Sequence, residues 1–245
     1  MKIRGFSELK SFLEKDKSKI KGCLVDTSVL FAASYTPDKY NEECEKPFDE
    51  LAKRNIPVFT NVSVKHEFLE RQRRVLVADS LVVFYEIYGK KLPPTLEMKL
   101  KSHKTSHQKK ADEEKPTGLQ KQQIDSFSKQ LRSISIDGRN AWDILCQDLF
   151  APQLLPVWDK AVQEFRIVEL KTRTEDASPF ILKNPDWDDA VKLMGRYCLG
   201  STDAMIINMF LCSAIPVMLT ADFEMARTAV TENQSNKEIF IPDSL

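Results

Sequence analysis

Short, mostly apolar runs, most of them closed by a polar or acidic residue, alternate along this chain with longer stretches in which apolar positions recur every three or four residues. The runs are Cys23-Leu24-Val25, Pro57-Val58-Phe59, Phe165 to Leu170, Pro216 to Leu219 and Ile239-Phe240-Ile241. They are too short for buried helices and read as buried strands. The periodic stretches read as helices. Phe48 and Leu51 mark one over about 47–54, and Phe68, Val75, Leu76, Leu81 and Phe84 mark one long helix or two in succession over about 64–88. Asp186 caps a helix over 187–197, and another runs from Thr202 to about Ala214. Ser63 and Ser201 are the expected N-caps of the second and the last of these. Helices alternating with short strands predict an α/β protein of three layers, α/β/α, around a central parallel sheet covered on both faces.

Two stretches stand outside this alternation. Residues 7–20 read as an N-terminal helix begun by Ser7, with Phe12 and Leu13 on its apolar side, packing as an added brace. Residues 89–164 read as a helical insertion, with helical patterns around 119–134 and 138–150. Its charged, poorly periodic part, about 101–118, is expected to be mobile. The whole, 1–245, reads as one domain whose core covers about 20–88 and 165–245.

Lys and Arg number 36 against 36 Asp and Glu, so global charge demands no nucleic-acid partner. Local charge is more informative. Residues 99–121 hold seven lysines (99, 101, 104, 109, 110, 115 and 121) against Asp112, Glu113 and Glu114, with His103 and His107 beside them. A solvated face is the ordinary reading of such a stretch, and an RNA-contacting arm is the alternative. Lys65, Arg71, Arg73 and Arg74 form a second cluster around Glu67. The five cysteines show no metal-finger spacing, and Cys23, Cys198 and Cys212 lie in apolar runs, as reduced core residues of a cytoplasmic protein would. His66, His103 and His107 read as solvated. The first residues lead into an amphipathic, charged segment rather than a secretory signal, and no apolar run approaches a membrane span.

Four acids fall at the predicted junctions. Asp26 and Asp222 lie just beyond the first strand and a late one, where open α/β sheets bind ligands. Glu67 and Asp203 fall near helix starts, and Glu70, one turn beyond Glu67, is an alternative for its place. Any one such Asp is more often a turn or cap residue. As a set gathered at one sheet edge, the four would repel and raise one another's pKa unless a cation held them, and hard oxygen ligands select Mg²⁺ or Mn²⁺. Thr27, Ser28, Ser201, Thr202 and Thr220 lie beside these acids and could orient waters or bind phosphate oxygens. The absence of GxGxxG and GxxxxGK removes dinucleotide binding and P-loop hydrolysis. Ser28 stands where a haloacid-dehalogenase-like phosphatase needs a second Asp.

Taken in order, Leu24-Val25-Asp26-Thr27-Ser28, Ser63-Val64-Lys65-His66-Glu67, Leu199-Gly200-Ser201-Thr202-Asp203-Ala204 and Thr220-Ala221-Asp222-Phe223 resemble the PIN-domain ribonuclease family, over roughly 20–75 and 165–245. The resemblance implies a PIN-like fold, a Mg²⁺- or Mn²⁺-dependent endoribonuclease, and Asp26, Glu67, Asp203 and Asp222 as its active-site acids. In that scheme Asp26 and Asp203 bind the ion directly, while Glu67 and Asp222 act through water. Many members are toxins of toxin–antitoxin pairs, so an RNA substrate, an antitoxin protein and a homodimer are the implied partners. The insertion and the N-terminal helix depart from the compact toxins. The alternative is a PIN-like module that holds RNA or a protein without cutting.

Overall fold

Apolar runs become strands and periodic stretches become helices in a computed structural model that describes residues 2–15, 20–171, 179–232 and 237–245. The chain begins with strand β1 (Ile3–Gly5), a 3-10 turn over Phe6–Glu8 and helix α1 (Leu9–Lys15). There follow β2 (Cys23–Val25), α2 (Thr27–Ser34), α3 (Asn41–Lys53), β3 (Val58–Thr60) and the long α4 (Val62–Tyr88). Next come α5 (Pro94–Asp112), α6 (Lys121–Leu131), the hairpin β4 (Ser135–Ile136) and β5 (Arg139–Asn140), α7 (Ala141–Ile144), a π-helical turn over Leu145–Phe150, α8 (Ala151–Leu154) and α9 (Val157–Phe165). The chain closes with β6 (Ile167–Glu169), α10 (Trp187–Tyr197), α11 (Ser201–Cys212), β7 (Val217–Leu219), α12 (Phe223–Glu232) and β8 (Glu238–Ile241). It divides into two compact units, Met1–Phe68 with Ala161–Leu245, and Leu69–Lys160.

The first unit is mixed α/β. Its six strands pair in the order β1-β8-β7-β2-β3-β6, every pair parallel, with helices flanking the sheet. β2 and β7 are buried along their whole length, which is why they carry no polar alternation: a parallel strand covered on both faces has no wet side. Helix α2 packs on α3, and α11 packs on α10 and α12. Leu24, Leu30, Phe210 and Phe240 are fully buried here, each contributing on the order of 1.5–3 kcal/mol through removal from water.

Several local expectations change. The brace expected over 7–20 is the end of a 3-10 turn and a shorter helix over Leu9–Lys15, preceded by the strand β1, and residues 16–19 lie outside the described residues. Ile3-Arg4-Gly5 pairs with the edge of β8, where one neighbouring strand suffices to hold so short and polar a segment. Asn61, not Ser63, caps α4, its Oδ1 accepting from Val64 N–H at 3.0 Å. Gly200, not Ser201, is the N-cap of α11. Cys23 and Cys212 are buried, whereas Cys198 is exposed at the left-handed residue that ends α10, with φ 57°.

The second unit is helical and has its own core, built from Leu81 and Phe84 of α4, Leu96 and Leu100 of α5, Phe127 and Leu131 of α6, and Ile144 and Leu145. The lysine-rich stretch expected to be mobile is the continuous helix α5, begun by Pro94 at its first turn. Leu96 and Leu100, four apart, supply the narrow stripe that anchors it, and lysine, glutamine and alanine are good helix formers on the wet side. Lys99 donates to Ser126 Oγ at 2.9 Å, and Lys104 pairs with Glu86 at 2.6 Å. His103 and His107 are half-buried rather than solvated: His103 Nε2 lies 3.0 Å from the carbonyl of Ala78, and His107 Nε2 lies 2.7 Å from Asp79 Oδ1. Among the described residues no helix is long and apolar enough to cross a membrane.

Candidate functional site

From β2 the chain steps outward to β3 and β6, then returns to place β7 on the opposite side of β2. The direction of winding therefore reverses between β2 and β7, and the crevice outside their carboxyl ends is where an open α/β sheet takes a ligand. Asp26 is the first residue beyond β2, and Thr220 and Asp222 follow β7. The in-register pairs Leu24 with Met218 and Val25 with Leu219 bring these ends side by side.

Asp26 is buried, at 3% exposure, and is the N-cap of α2. Its Oδ1 accepts from Thr27 N–H at 2.6 Å, and its Oδ2 accepts from Ser28 Oγ and, at 2.9 Å, from Thr220 Oγ1. Thr220 Oγ1 accepts in turn from Asp222 N–H at 3.0 Å, and Ser28 Oγ accepts from Ala221 N–H at 2.8 Å. Two hydroxyls thus link the carboxylate to the backbone beyond the neighbouring strand. Burial pushes the Asp26 carboxyl above its ordinary pKa, and the negative charge of Glu67 adds to the rise, against the lowering effect of the Ser28, Thr220 and Thr27 hydrogen bonds.

Asp222 caps α12, its Oδ1 accepting from Met225 N–H at 2.9 Å. The turn-and-cap role open to any Asp after a strand is therefore filled by both Asp26 and Asp222, and the partial positive charge of each helix start favours the anion there by about 0.3–1 kcal/mol. Glu67 lies in the second turn of α4, half-buried. Glu70 takes a different part: Arg73 grips it with two bonds of 2.8 and 2.7 Å, Arg74 lies 3.4 Å away, and these cations hold its carboxyl below the usual range. Glu67 is thus the one whose charge is felt at Asp26. Asp203 sits in the first turn of α11, its carboxylate lying over Gly200, where a Cβ would stand 3.1 Å from Oδ2.

The contacts join Asp26 and Asp222 through Thr220 and bring Glu67 within electrostatic reach of Asp26. They assign Asp203 to the start of its own helix. Among the described residues no group of three or more His, Cys, Asp or Glu side chains is arranged to hold a metal ion.

Two further polar groups escape a reading of the sequence. Thr60 Oγ1 and Asn61 Nδ2, at the carboxyl end of β3 next to β2, are buried with no hydrogen-bond partner among the described residues. A buried donor left in this state costs about 1–3 kcal/mol. Only the polar pair Thr60-Asn61 closing an apolar strand could have signalled them. Comparison of the chain with models of known protein families, with curated proteins and with solved structures found no match.

Proposed function

We propose that this chain is a metal-dependent endoribonuclease that hydrolyses RNA phosphodiester bonds at the carboxyl edge of β2 and β7. The observation that carries the reading is the Asp26–Thr220–Asp222 junction at the reversal of winding, with Glu67 pressing its charge on a carboxylate already buried. An arrangement of anions that raises a pKa is unfavourable by itself, and a cation offsets the cost. Mg²⁺ keeps several waters and takes one or two direct carboxylates. That mode needs no closed cage, and among the described residues no group of three or more side chains forms one.

Asp26 would hold the ion directly, because Oδ1 takes one hydrogen bond among those described while Oδ2 is occupied by hydroxyls. Glu67 and Asp222 would act through water or orient the attacking water, and Asp203 joins the set on the strength of the resemblance. A bound Mg²⁺ or Mn²⁺ supplies an activated water and neutralises charge on the phosphate. The chain's own groups do the rest. Ser28, Thr220 and the Thr27 N–H lock the Asp26 carboxylate in one orientation. The proposal is confined to this reaction; a toxin role, an antitoxin and a homodimer stand on the resemblance alone.

Purified protein incubated with single-stranded and structured RNA should cut in Mg²⁺ or Mn²⁺, leave 5′-phosphate ends, and stop cutting in EDTA or as Asp26→Asn. Cleavage that survives either change contradicts the proposal. One observation favours a second reading, an RNA-binding module without catalysis: both Asp26 and Asp222 are already engaged as helix caps. That reading requires RNA binding with no cutting and no response of stability to Mn²⁺.

A further inference from the structure

Phenylalanine is ordinarily a buried residue. Of the 14 in this chain, all of them among the described residues, one is exposed: Phe223, at 47%. It directly follows Asp222 and opens α12, so it stands at the same sheet edge as the Asp26–Thr220 junction. Arg227 is exposed and lies four residues on, hence on the same face of α12 and one turn away. At the corresponding point after β3, the first residue of α4 is Val62, 67% exposed. Apolar side chains at these two positions keep about half or more of their surface in water.

We infer that Phe223 is a stacking platform for a base of single-stranded RNA, and that Arg227 contacts a phosphate of the same strand. The inference rests on the reading of the neighbouring acids as the cleavage site and names the form of RNA admitted there. Every base has a π-face that can lie on a phenyl ring, but only an unpaired, splayed base can reach one, so duplex RNA is excluded from this contact. A guanidinium one helical turn away matches the backbone of a strand whose base lies on the ring.

The test separates this inference from the cleavage reading by measuring binding in EDTA, where no metal-dependent cutting occurs. The probe is a fluorescein-labelled single-stranded RNA 12-mer of mixed sequence, followed by anisotropy, with the same sequence annealed to its complement as the duplex control. Phe223→Ala should weaken single-strand binding about 5- to 150-fold, the range that stacking of one base supplies. Phe223→Trp should bind as the unsubstituted protein does or tighter, and Phe223→Leu should behave as the Ala variant; this pattern is one that loss of folding cannot produce. Arg227→Ala should reduce the slope of log affinity against log salt by about 0.7, the value for one phosphate contact on a single strand. Duplex binding should be unmoved by all four changes. Equal single-strand affinity of Phe223→Ala and the unsubstituted protein overturns the inference, as does failure of the unsubstituted protein to bind the 12-mer. If the Phe223 pattern holds and no cleavage appears on adding Mn²⁺, the cleavage reading fails and the stacking site stands. If cleavage is present and Phe223→Ala binds normally, the reverse holds.

Discussion

Thr220 donates a 2.9 Å hydrogen bond to Asp26 across 194 residues of sequence, and the same hydroxyl accepts from the backbone of Asp222. One small side chain therefore fixes the orientation of a buried carboxylate and the start of α12 together. Thr220→Val keeps the shape and removes both bonds. The expected cost at pH 7 is about 1–3 kcal/mol, since one lost bond is to a buried carboxyl group and one leaves a backbone donor unmet. Thr220→Ser should recover most of it. Urea unfolding of the three proteins checks the expectation, and an unchanged midpoint for the Val variant would show that the junction is not tight.

The same junction sets a pH dependence. The folded-state pKa of Asp26 is raised above its unfolded value, so the stability linked to this group is present at low pH and is lost as pH rises through the folded value. The Thr220 bond favours the charged form, so the cost of Thr220→Val should fall between pH 7 and pH 4 as the proton is taken up. Asp26→Asn should show the opposite balance, gaining on the unsubstituted protein at pH 7 in the absence of metal and losing that gain at pH 4. Parallel unfolding curves at the two pH values decide it. A gain of Asp26→Asn that is constant with pH would exclude a raised Asp26.

Glu67 and Glu70, one turn apart on α4, should part company on substitution. Glu70→Gln gives up ion pairs to Arg73 and Arg74 that are about one-third exposed, so it should cost less than about 1 kcal/mol and leave cleavage intact. Glu67→Gln should abolish cleavage while leaving Tm in EDTA the same or higher. Rate measurements on the two purified variants, with melts alongside, give the comparison; loss of cleavage in the Glu70 variant with retention in the Glu67 variant would reverse the assignment.

Helix α5 should be protected from hydrogen exchange across Leu96 to His107, because Leu100 is fully buried and His107 is tied to Asp79. Leu100→Ala should destabilise the helical unit by about 2–5 kcal/mol and expose the stretch to exchange. Rapid exchange there in the unsubstituted protein would return the lysine-rich segment to a mobile loop.

What the sequence made legible follows from how far each signal reaches along the chain. Strands β2 and β7 announce themselves because Cys23-Leu24-Val25 and Val217-Met218-Leu219 are apolar on both faces. Strand β1 does not, since Ile3-Arg4-Gly5 becomes a strand only by pairing with β8 at the far end of the chain. Helix α5 was hidden by its own polarity: two leucines anchor it, and propensity carries the rest. The caps lie one or two residues before the serines, at Asn61 and Gly200, because serine, asparagine and glycine all satisfy a helix start and only backbone geometry chooses among them. Asp26 and Asp222 were legible as strand-end acids, but the hydroxyls that lock Asp26 come from residues adjacent only once the sheet is formed, so Ser28 and Thr220 could be named beside the acids and not assigned to them.

A metal site and a set of helix caps at the carboxyl edge of β2 and β7 respond differently to the loss of one charge. The most direct measurement is the thermal melt of Asp26→Asn beside the unsubstituted protein, each in EDTA and in Mn²⁺. Asn is as good an N-cap as Asp, so the Thr27 N–H bond can be kept, while the charge goes and an amide NH₂ replaces the oxygen that accepts from Ser28 and Thr220. For a metal site, the variant melts at the same or a higher temperature than the unsubstituted protein in EDTA. Mn²⁺ then raises the Tm of the unsubstituted protein, as binding to the folded state requires, and the variant largely loses this rise. A variant destabilised equally in both conditions, with a normal response to Mn²⁺, would contradict a metal site.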